Sequence, residues 1–455
     1  MSKQKTYFEC TDCGHRAVKW LGCCPECKGW NTLEEVIPSR TLLQNKSMAA
    51  SSSGPTIQLQ TLDTISSKIR DRFLTGISEW DRVMGGGIMP SSLIVLTGDP
   101  GIGKSTLLLQ VSHALAQKQR VFYFSTEESL QQVKQRAERL ACLENKLLFS
   151  DQADLVSIIQ TSQLEKPDII IIDSIQNCFI SGTQTLPGSV SQLRESTFQL
   201  MRLAKEQSIT VIITGHITKE GVIAGPKTLE HMVDAVFYLQ GEDRWHSRVL
   251  RAVKNRFGAI NELGFFEMKE DGMIEVPNIN EHLISEVSYS PGSSLVSIVE
   301  GSRPLLLELQ ALTIQSKIGI PQRIVSGLDH KQVVLIAAIL EKYLHVKLSL
   351  QDIFFKVSGG FKIKESGTDL GIALALLSSY FQQPLPDRSI ALGEISLTGQ
   401  IKPVNHITTF VREAQKFGIK KLLIAKSQKL ETTPLPVQRF SNVYELLSLF
   451  SEIKK

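Results

Sequence analysis

The central part of the chain alternates short apolar runs rich in β-branched residues with amphipathic segments of helical period. The apolar runs read SLIVLTG, RVFYFST, DIIIIDS and TVIITGH, and the helical segments include KSTLLLQVSHALAQ and ESLQQVKQRAERL. This alternation predicts βαβ units, in which helices cover a parallel sheet. Further strand patterns, DAVFYLQ and RVLRAVKNRF, predict antiparallel strands that extend the same sheet to about residue 275.

Changes in this pattern predict how the chain divides into parts. The first segment is rich in Cys, Gly and Trp and has no period long enough to build a core, and a polar, Ser-rich stretch with a Gly-Pro break follows it. Beyond the βαβ region, mixed strands and two helical segments predict another α/β part without a glycine-rich loop. We expect a small module at 1-36, a flexible linker at 37-60, and α/β domains at 61-280 and 281-455.

A glycine-rich segment lies where the first predicted strand ends and the first helix begins. It fits G-x-x-x-x-G-K-[ST] and consists of Gly98, Asp99, Pro100, Gly101, Ile102, Gly103, Lys104, Ser105 and Thr106. Its position between strand and helix argues against a chance glycine-rich turn. Backbone N–H groups of such a loop surround phosphate oxygens, and the helix N-terminus adds positive potential. We therefore predict an ATP site, with Lys104 as a catalytic residue at the β- and γ-phosphates and Ser105 as a Mg²⁺ ligand.

Acidic residues follow two other predicted strands. Asp173 comes directly after the apolar run Ile169 to Ile172, and Glu127 and Glu128 follow the strand at 120–125. Ligands of open α/β sheets bind at the carboxyl ends of the strands, so we expect Asp173 to be the second Mg²⁺ ligand, although without the glycine loop it would more readily be a turn cap. One of these two glutamates could be the catalytic base for the attacking water, and we expect Glu127 rather than its neighbour. Both are also typical of the first turn of the next helix, where we expect Glu128 to lie.

The cysteines are concentrated near the start of the chain. Of the seven in total, four form two C-x-x-C pairs, namely Cys10, Cys13, Cys24 and Cys27. In a reducing compartment such pairs indicate a tetrahedral Zn²⁺ site rather than disulfides. Free thiols or a redox pair would leave the first segment with nothing to fold around. Cys23 is expected not to be a ligand.

Composition limits the class of protein without deciding its function. Hydrophobic residues make up 42% and charged residues 21% of the chain, which is ordinary for a globular protein. No apolar run approaches the roughly 20 residues of a membrane span, and the start MSKQKTYFEC lacks an apolar signal segment, so we expect a cytoplasmic protein without a membrane partner. A formal net charge of +4 is too small to indicate nucleic acid, so a DNA site must be a local patch.

One segment with two cations, an aromatic residue and a glycine ends a predicted strand. It consists of Lys254, Asn255, Arg256, Phe257 and Gly258. Its cations are suited to the phosphates of ATP, including those in a neighbouring subunit, or to a DNA backbone. From composition alone, an exposed strand end without a ligand is the better explanation.

Taken in order, these motifs resemble the RadA (Sms) family of bacterial, RecA-related DNA repair proteins over almost the whole chain. The resemblance is carried by CTDCG, KWLGCCPECKGWNT, GDPGIGKST, LPGSVSQLRES, GHITKEGVIAGPKTLEHMVDAVFYLQGE and KNRFG. It implies a RecA-like P-loop ATPase core that forms a homohexamer, loads on single-stranded and branched DNA and drives branch migration with RecA. It also implies that Lys254 and Arg256 couple nucleotide state to DNA binding. His216 and Lys219 would sense the γ-phosphate or the neighbouring subunit, unless His216 is simply a packed strand-end residue.

The C-terminal part resembles the Lon proteolytic domain through SGGFKIKESGTDLGIALAL and ALGEISLTGQIKPV. In that family a serine within a G-P-S-A-G turn pairs with a lysine. Here the turn Gly367 to Gly371 has Asp369 at the serine position, and the region Pro403 to Thr408 contains no lysine. A carboxylate cannot replace a serine nucleophile. We therefore expect a non-proteolytic scaffold for ring assembly and DNA contact.

Other classes of protein share parts of this pattern. A RecA-type strand-exchange recombinase has the same ATPase core but needs neither the zinc module nor the Lon-like domain. A signalling or scaffold ATPase of the KaiC type would hydrolyse ATP at a rate indifferent to DNA. An ATP-dependent protease is disfavoured because the serine and the lysine are missing.

Overall fold

The computed structural model describes residues 7–11, 14–36, 61, 71–183, 186–216, 229–242, 247–317 and 320–450. The chain divides into two units. One comprises Met1–Gln240, Arg251–Gly258 and Lys269–Met273, and the other comprises Gly241–Leu250, Ala259–Met268 and Ile274–Lys455. The predicted linker at 37-60 lies outside the described residues, and the boundaries expected from the sequence stay predictions.

A small antiparallel sheet forms the N-terminal module. Its strands are β1 (Tyr7–Cys10), β2 (Arg16–Ala17) and β3 (Leu33–Val36), in the order β2-β1-β3. Among the described residues of this module, three are buried, each with at most 4% of its surface exposed: Cys10, Cys24 and Leu33. So small a core cannot by itself hold the module together.

A nine-stranded sheet forms the central fold. Its strands are β4 (Leu93–Gly98), β5 (Val121–Ser125), β6 (Leu147–Ser150), β7 (Ile169–Asp173), β8 (Thr210–His216), β9 (Ala235–Glu242), β10 (Ser247–Asn255), β11 (Leu263–Lys269) and β12 (Gly272–Glu275). Their order is β12-β11-β10-β9-β4-β8-β7-β5-β6, and the pairs from β9 to β6 are parallel. Every residue of β4, β5 and β7 is buried, which explains their continuous apolar sequence.

The described helices of this region comprise one that precedes β4 and four that connect successive parallel strands. They are α1 (Ser78–Val83), α2 (Lys104–Ala116), α3 (Leu130–Arg139), α4 (Leu155–Glu165) and α5 (Val190–Gln207). Side-chain caps determine where three of them begin: Ser129 caps α3, Asp154 caps α4 and Ser189 caps α5. The predicted βαβ architecture is confirmed, but the prediction that DAVFYLQ is antiparallel is wrong, because it forms β9, which is parallel to β4.

The C-terminal part contains a mixed seven-stranded sheet. Its strands are β13 (Ser293–Glu300), β14 (Arg303–Gln315), β15 (Arg323–Ser326), β16 (Gln351–Val357), β17 (Ser389–Leu392), β20 (Lys421–Ala425) and β21 (Val437–Phe440), in the order β15-β16-β14-β13-β17-β20-β21. A separate pair consists of β18 (Glu394–Ile395) and β19 (Ile401–Lys402).

Helices cover this second sheet. They are α6 (Ile279–Ser285), α7 (His330–Leu344), α8 (Asp369–Phe381) and α9 (Ile407–Lys416). Short 3₁₀ turns in this part lie at Leu348–Leu350, Ser358–Gly360, Ser366–Thr368 and Val443–Phe450, and another, Ile175–Asn177, follows β7 in the central fold. Helix α8 is buried from Asp369 to Ser379. A Cβ at Gly371 would lie 2.1 Å from Val296 Cγ1, so glycine allows α8 to approach β13 closely.

Candidate active site and metal site

The glycine-rich loop joins the carboxyl end of β4 to the first turn of α2. Gly98 ends β4, and a Cβ there would lie 2.2 Å from the backbone oxygen of Leu239 on β9. Gly101 and Gly103 have φ angles of 76° and 109°, which L side chains rarely adopt. The glycines therefore allow the compact turn that aims backbone N–H groups at a phosphate.

Lys104 is the first residue of α2, and its side chain turns back into the loop. The residue is 5% exposed, and its Nζ donates to the backbone oxygens of Gly98 at 2.9 Å and Asp99 at 3.0 Å. Burial lowers the pKa of Lys104, and the carboxylates of Asp173, Glu127 and Asp99 oppose that shift. The ammonium thus lies among loop carbonyls and within the field of three carboxylates. Ser105 and Thr106 follow it on α2 and are half-buried.

Asp173 is the last residue of β7 and is held by hydroxyl groups on both neighbouring strands. Its Oδ2 accepts from the Tyr123 hydroxyl at 2.8 Å, and its Oδ1 accepts from Thr214 Oγ1 at 2.7 Å. Burial and the nearby Asp173 carboxylate raise the pKa of Tyr123 well above its usual value. Sequence reasoning missed both hydroxyl residues. The available signal was a polar group in an otherwise apolar, buried strand, since such a group needs a partner.

The two glutamates after β5 have different environments. Glu127 is exposed on the loop between β5 and α3, and the hydroxyl of Ser174 donates to its Oε1. Glu128 forms an ion pair of 2.5 Å with Arg136. Helix α3 begins at Leu130, so the prediction that Glu128 lies in its first turn is wrong; it precedes the Ser129 cap and holds the helix through Arg136 instead.

These groups meet at one edge of the sheet because the parallel strands end in register. Gly98 lies opposite His216, and Ser125 lies opposite Asp173. The edge therefore brings together the glycine loop, Lys104, Glu127 and Asp173. The backbone of His216 ends β8 at this edge, whereas its side chain and Lys219 lie outside the described residues.

The predicted coupling segment at 254–258 lies at the opposite edge of the same sheet. The N–H of Arg256 donates to the backbone oxygen of Asp234 at 3.1 Å. The N–H of Asp234 in turn donates to the backbone oxygen of Leu93 at 3.0 Å. Leu93 is the first residue of β4 and Gly98 the last, so at about 3.3 Å per residue these edges are about 17 Å apart. Within one chain, the segment and the glycine loop do not form a common site.

Asp234 organises the charges at this second edge. Its carboxylate accepts from the N–H of Leu93 at 3.0 Å and forms ion pairs with Lys205 at 2.8 Å and Arg256 at 3.4 Å. Lys254 Nζ donates to the backbone oxygens of Val233, at 2.9 Å, and Glu230. Burial, followed by the charge of Arg256, lowers the pKa of Lys254. The guanidinium of Arg256 is thus the more accessible cation, with its side chain 59% exposed.

The other residues of the segment have structural partners. Asn255 donates from Nδ2 to the backbone oxygen of Val83 at 3.4 Å and accepts from the N–H of Phe257 at 2.9 Å. A Cβ at Gly258 would lie 2.9 Å from the Cα of Gly85. Arg72 Nη2 donates to the backbone oxygen of Phe257 at 2.6 Å. This network fixes the backbone that carries Arg256.

Three of the four predicted zinc ligands are described, and they converge. The Sγ atoms of Cys10, Cys24 and Cys27 all lie within 4.8 Å of one another, and those of Cys10 and Cys27 are 3.6 Å apart. A tetrahedral zinc site with Zn–S bonds of about 2.3 Å requires S–S separations of about 3.8 Å, so the donors fit this metal. Cys13 lies outside the described residues. Cys23 faces the backbone oxygen of Cys24 at 3.8 Å and is not in this group.

Asp369, at the position of the missing serine, is a buried residue with structural hydrogen bonds. It begins α8 and is 6% exposed; its Oδ1 accepts from Gln332 Nε2 at 2.8 Å and its Oδ2 from the N–H of Ile395 at 3.1 Å. Burial, opposed by these two hydrogen bonds and reinforced by Glu394, raises the pKa of Asp369. Both of its oxygens join α8 to neighbouring elements.

Comparison with known proteins settles the family. DNA repair protein RadA of Halalkalibacterium halodurans is 44% identical over 426 residues, which cover 93% of this chain and 93% of that protein. The chain belongs to the RadA family of DNA repair proteins. RadA of Bacillus subtilis is 44% identical with coverage of 93% of both chains, and RadA of Listeria monocytogenes is 43% identical over 432 residues, 94% of this chain and 93% of that protein.

Matches to domain families agree with this membership in the RadA family. Residues 8–35 match a rubredoxin metal binding domain, residues 60–222 match an AAA domain, and residues 317–428 match subunit ChlI of Mg-chelatase. The predicted fold class, a RecA-like P-loop ATPase core with an N-terminal zinc module and a C-terminal Lon-like domain, is confirmed.

Two solved structures align with part of the chain. The RadB recombinase has 21% identity and a TM-score of 0.37, and it covers 45% of this chain and 99% of its own. A KaiC-like protein from Pyrococcus horikoshii has 20% identity and a TM-score of 0.39, with coverage of 46% and 99%. None of the helices in the described part of the chain combines the length and the hydrophobicity of a membrane-spanning segment.

Proposed function

We propose that this RadA-family chain is a DNA-dependent ATPase of DNA repair and recombination. The observation that carries the proposal is the convergence of the glycine loop, Lys104, Glu127 and Asp173 at one edge of the central sheet. Binding and hydrolysis of ATP need these groups: donors for the phosphates, a carboxylate for the metal, and a base for the attacking water.

Each residue at this edge has a role that its position supports. Lys104 and the N–H groups of the loop bind the β- and γ-phosphates. Ser105 and Asp173 would hold Mg²⁺, which neutralises phosphate charge when bound. The hydroxyls of Tyr123 and Thr214 fix the orientation of the Asp173 carboxylate. Glu127, exposed at the mouth of the site, accepts the proton of the attacking water.

The cations of the coupling segment act on a neighbouring subunit. Because Arg256 lies at the sheet edge opposite to its own glycine loop, it completes an ATP site only in trans. A homohexameric ring supplies that arrangement, since head-to-tail contacts bring unlike faces of neighbouring subunits together. His216 and Lys219 sense the γ-phosphate or the adjacent subunit, and Lys254 and Arg256 transmit that state to bound DNA.

The remaining parts position the motor on DNA. Cys10, Cys13, Cys24 and Cys27 hold Zn²⁺ and thereby fold the N-terminal module. The Lon-like domain is a non-proteolytic scaffold for the ring, because Asp369 makes structural hydrogen bonds and is not a nucleophile. The substrates are single-stranded and branched DNA at recombination intermediates, where the cytoplasmic ring promotes branch migration with RecA.

Steady-state ATP hydrolysis with and without single-stranded DNA tests the proposal. We expect DNA to stimulate the wild type, no activity in Lys104→Ala, and loss of the stimulation in Arg256→Ala. Arg202→Ala is the matched control: its side chain is 60% exposed and ion-paired on α5, and we expect it to keep the stimulation. A rate unaffected by DNA in every variant would instead support a signalling or scaffold ATPase. D-loop formation without added RecA would support a strand-exchange recombinase.

A further inference from the structure

Ser174 follows the metal-ligand candidate Asp173 and contacts the candidate base Glu127. It is 0% exposed, and its hydroxyl donates to Glu127 Oε1. Glu127 itself is exposed on a loop, and a glutamate side chain loses up to about 2 kcal/mol of rotamer freedom when it is held in one conformation. A general base must lie within hydrogen-bond reach of the water that it deprotonates, so a contact that orients Glu127 bears directly on hydrolysis.

The backbone of Ser174 is fixed by the residue next to Glu127. The N–H of Ser174 donates to Thr126 Oγ1 at 2.8 Å, and the Thr126 hydroxyl donates to the Ser174 backbone oxygen at 2.7 Å. The N–H of Thr126 also donates to the backbone oxygen of Asp173 at 2.9 Å. Residues 126–127, after β5, and residues 173–174, at the end of β7, are thus joined by several hydrogen bonds.

We infer that Ser174 is a positioning residue for ATP hydrolysis, holding the Glu127 carboxylate in a fixed place relative to Asp173. This inference rests on the proposed function, and specifically on Glu127 as the base. Asp173 is held by two hydroxyl groups, and Ser174 is held by Thr126. Because Ser174 is fixed in this way at the end of a buried strand, its hydrogen bond restricts the Glu127 side chain on the exposed loop.

Substitution of Ser174 by Ala tests the inference when kcat and KM for ATP are measured separately in the full chain at saturating single-stranded DNA. We expect kcat to fall by about 10- to 100-fold with little change in KM, because misplacement of a catalytic group by about 1 Å has effects of this size. Ser162→Ala is the matched control. Ser162 is also 0% exposed, and its hydroxyl donates to the backbone oxygen of Ile158 at 2.7 Å. We expect it to alter stability but not kcat.

A double-mutant cycle separates positioning from general destabilisation. If Ser174 acts through Glu127, the double variant Glu127→Gln/Ser174→Ala hydrolyses ATP as slowly as Glu127→Gln alone. A further loss equal to that of the single Ser174→Ala variant, or an unchanged kcat in Ser174→Ala, would overturn the inference while leaving Glu127 as the base. Full activity of Glu127→Gln would overturn the role of Glu127 in the proposed function, and the role of Ser174 with it.

Discussion

Both the packing of two strands and the shape of the nucleotide loop require glycine at position 98. It ends β4 beside Leu239 on β9, and the backbone oxygen of Leu239 occupies the space that a Cβ would need. Gly101, three residues later, has a left-handed φ of 76°, but a Cβ added there would meet no atom within 4 Å. The two glycines of one loop are therefore required for different reasons.

Substitution of each glycine by Ala distinguishes these reasons. We expect Gly98→Ala to lower the free energy of unfolding by about 2–4 kcal/mol, because a Cβ at 2.2 Å from a backbone oxygen forces β4 and β9 apart. Gly101→Ala should cost only about 1 kcal/mol, the strain of a left-handed alanine. Urea denaturation without nucleotide measures both. Equal losses in the two variants would show that β9 does not constrain the loop.

At the same scale, the sequence predicts candidate groups better than it predicts their partners. The spacing of the glycine loop identified Lys104 and Ser105, and the strand ends identified Asp173 and Glu127. The hydroxyls of Tyr123, Thr214 and Ser174 were not predicted, because which hydroxyl meets which carboxylate depends on the adjacency of β5, β7 and β8. Those strands are distant in sequence, and their lateral order is set by the packing of the whole sheet.

At the scale of elements, helix α4 begins at a cap that also holds a following loop. Asp154 accepts from the N–H groups of Val156 at 3.4 Å and Ser181 at 3.2 Å and from the hydroxyl of Ser157 at 2.7 Å. Burial alone would raise the pKa of Asp154, but these hydrogen bonds outweigh it and lower the pKa. The ionised carboxylate is therefore the form that stabilises the folded state.

Replacement of Asp154 tests this cap through its dependence on pH. We expect Asp154→Ala to lower the free energy of unfolding by about 1 kcal/mol at pH 7. Because the folded pKa is depressed, this stabilisation is present above the unfolded pKa of about 3.9 and disappears as pH falls through the folded value.

Asp154→Asn is the matched control, since asparagine caps nearly as well but does not titrate. Its unfolding free energy at pH 7 should stay close to that of the wild type. Denaturation from pH 7 to pH 3 measures all three proteins. A difference between the wild type and Asp154→Ala that is the same at pH 3 as at pH 7 would contradict the account.

The elements themselves were largely predictable from the sequence, because their patterns are local. The runs at β4, β5, β7 and β8 are predominantly apolar, and residues buried on both faces of a parallel sheet produce that pattern. The position of Glu128 was not predicted correctly. Its charge is typical of a first helical turn, but Ser129 is the better cap and moves the start of α3 to Leu130.

At the scale of the whole molecule, the central sheet separates two sets of charged residues. Lys104, Glu127 and Asp173 lie at the carboxyl ends of the parallel strands, and Arg256 lies with Asp234 at the amino ends. The antiparallel direction of β10 was predicted from the sequence, but its place beside β9, which brings Arg256 to Asp234, was not. Because of this separation, we propose that a second subunit completes the ATP site.

Mixing two defective variants tests whether two subunits share an ATP site. The Lys104→Ala variant lacks the lysine of the glycine loop but retains Arg256. The Arg256→Ala variant lacks that arginine but retains Lys104. If Arg256 acts in trans, mixed rings contain interfaces with both groups intact, and the DNA-stimulated rate of ATP hydrolysis rises above the sum of the separate variants.

A mixture of Lys104→Ala with the double variant Lys104→Ala/Arg256→Ala is the control and should stay inactive. The measurement is the DNA-stimulated rate as a function of the mixing ratio. We predict a maximum at intermediate ratios. A rate that never exceeds the sum of the two separate variants would contradict a shared site.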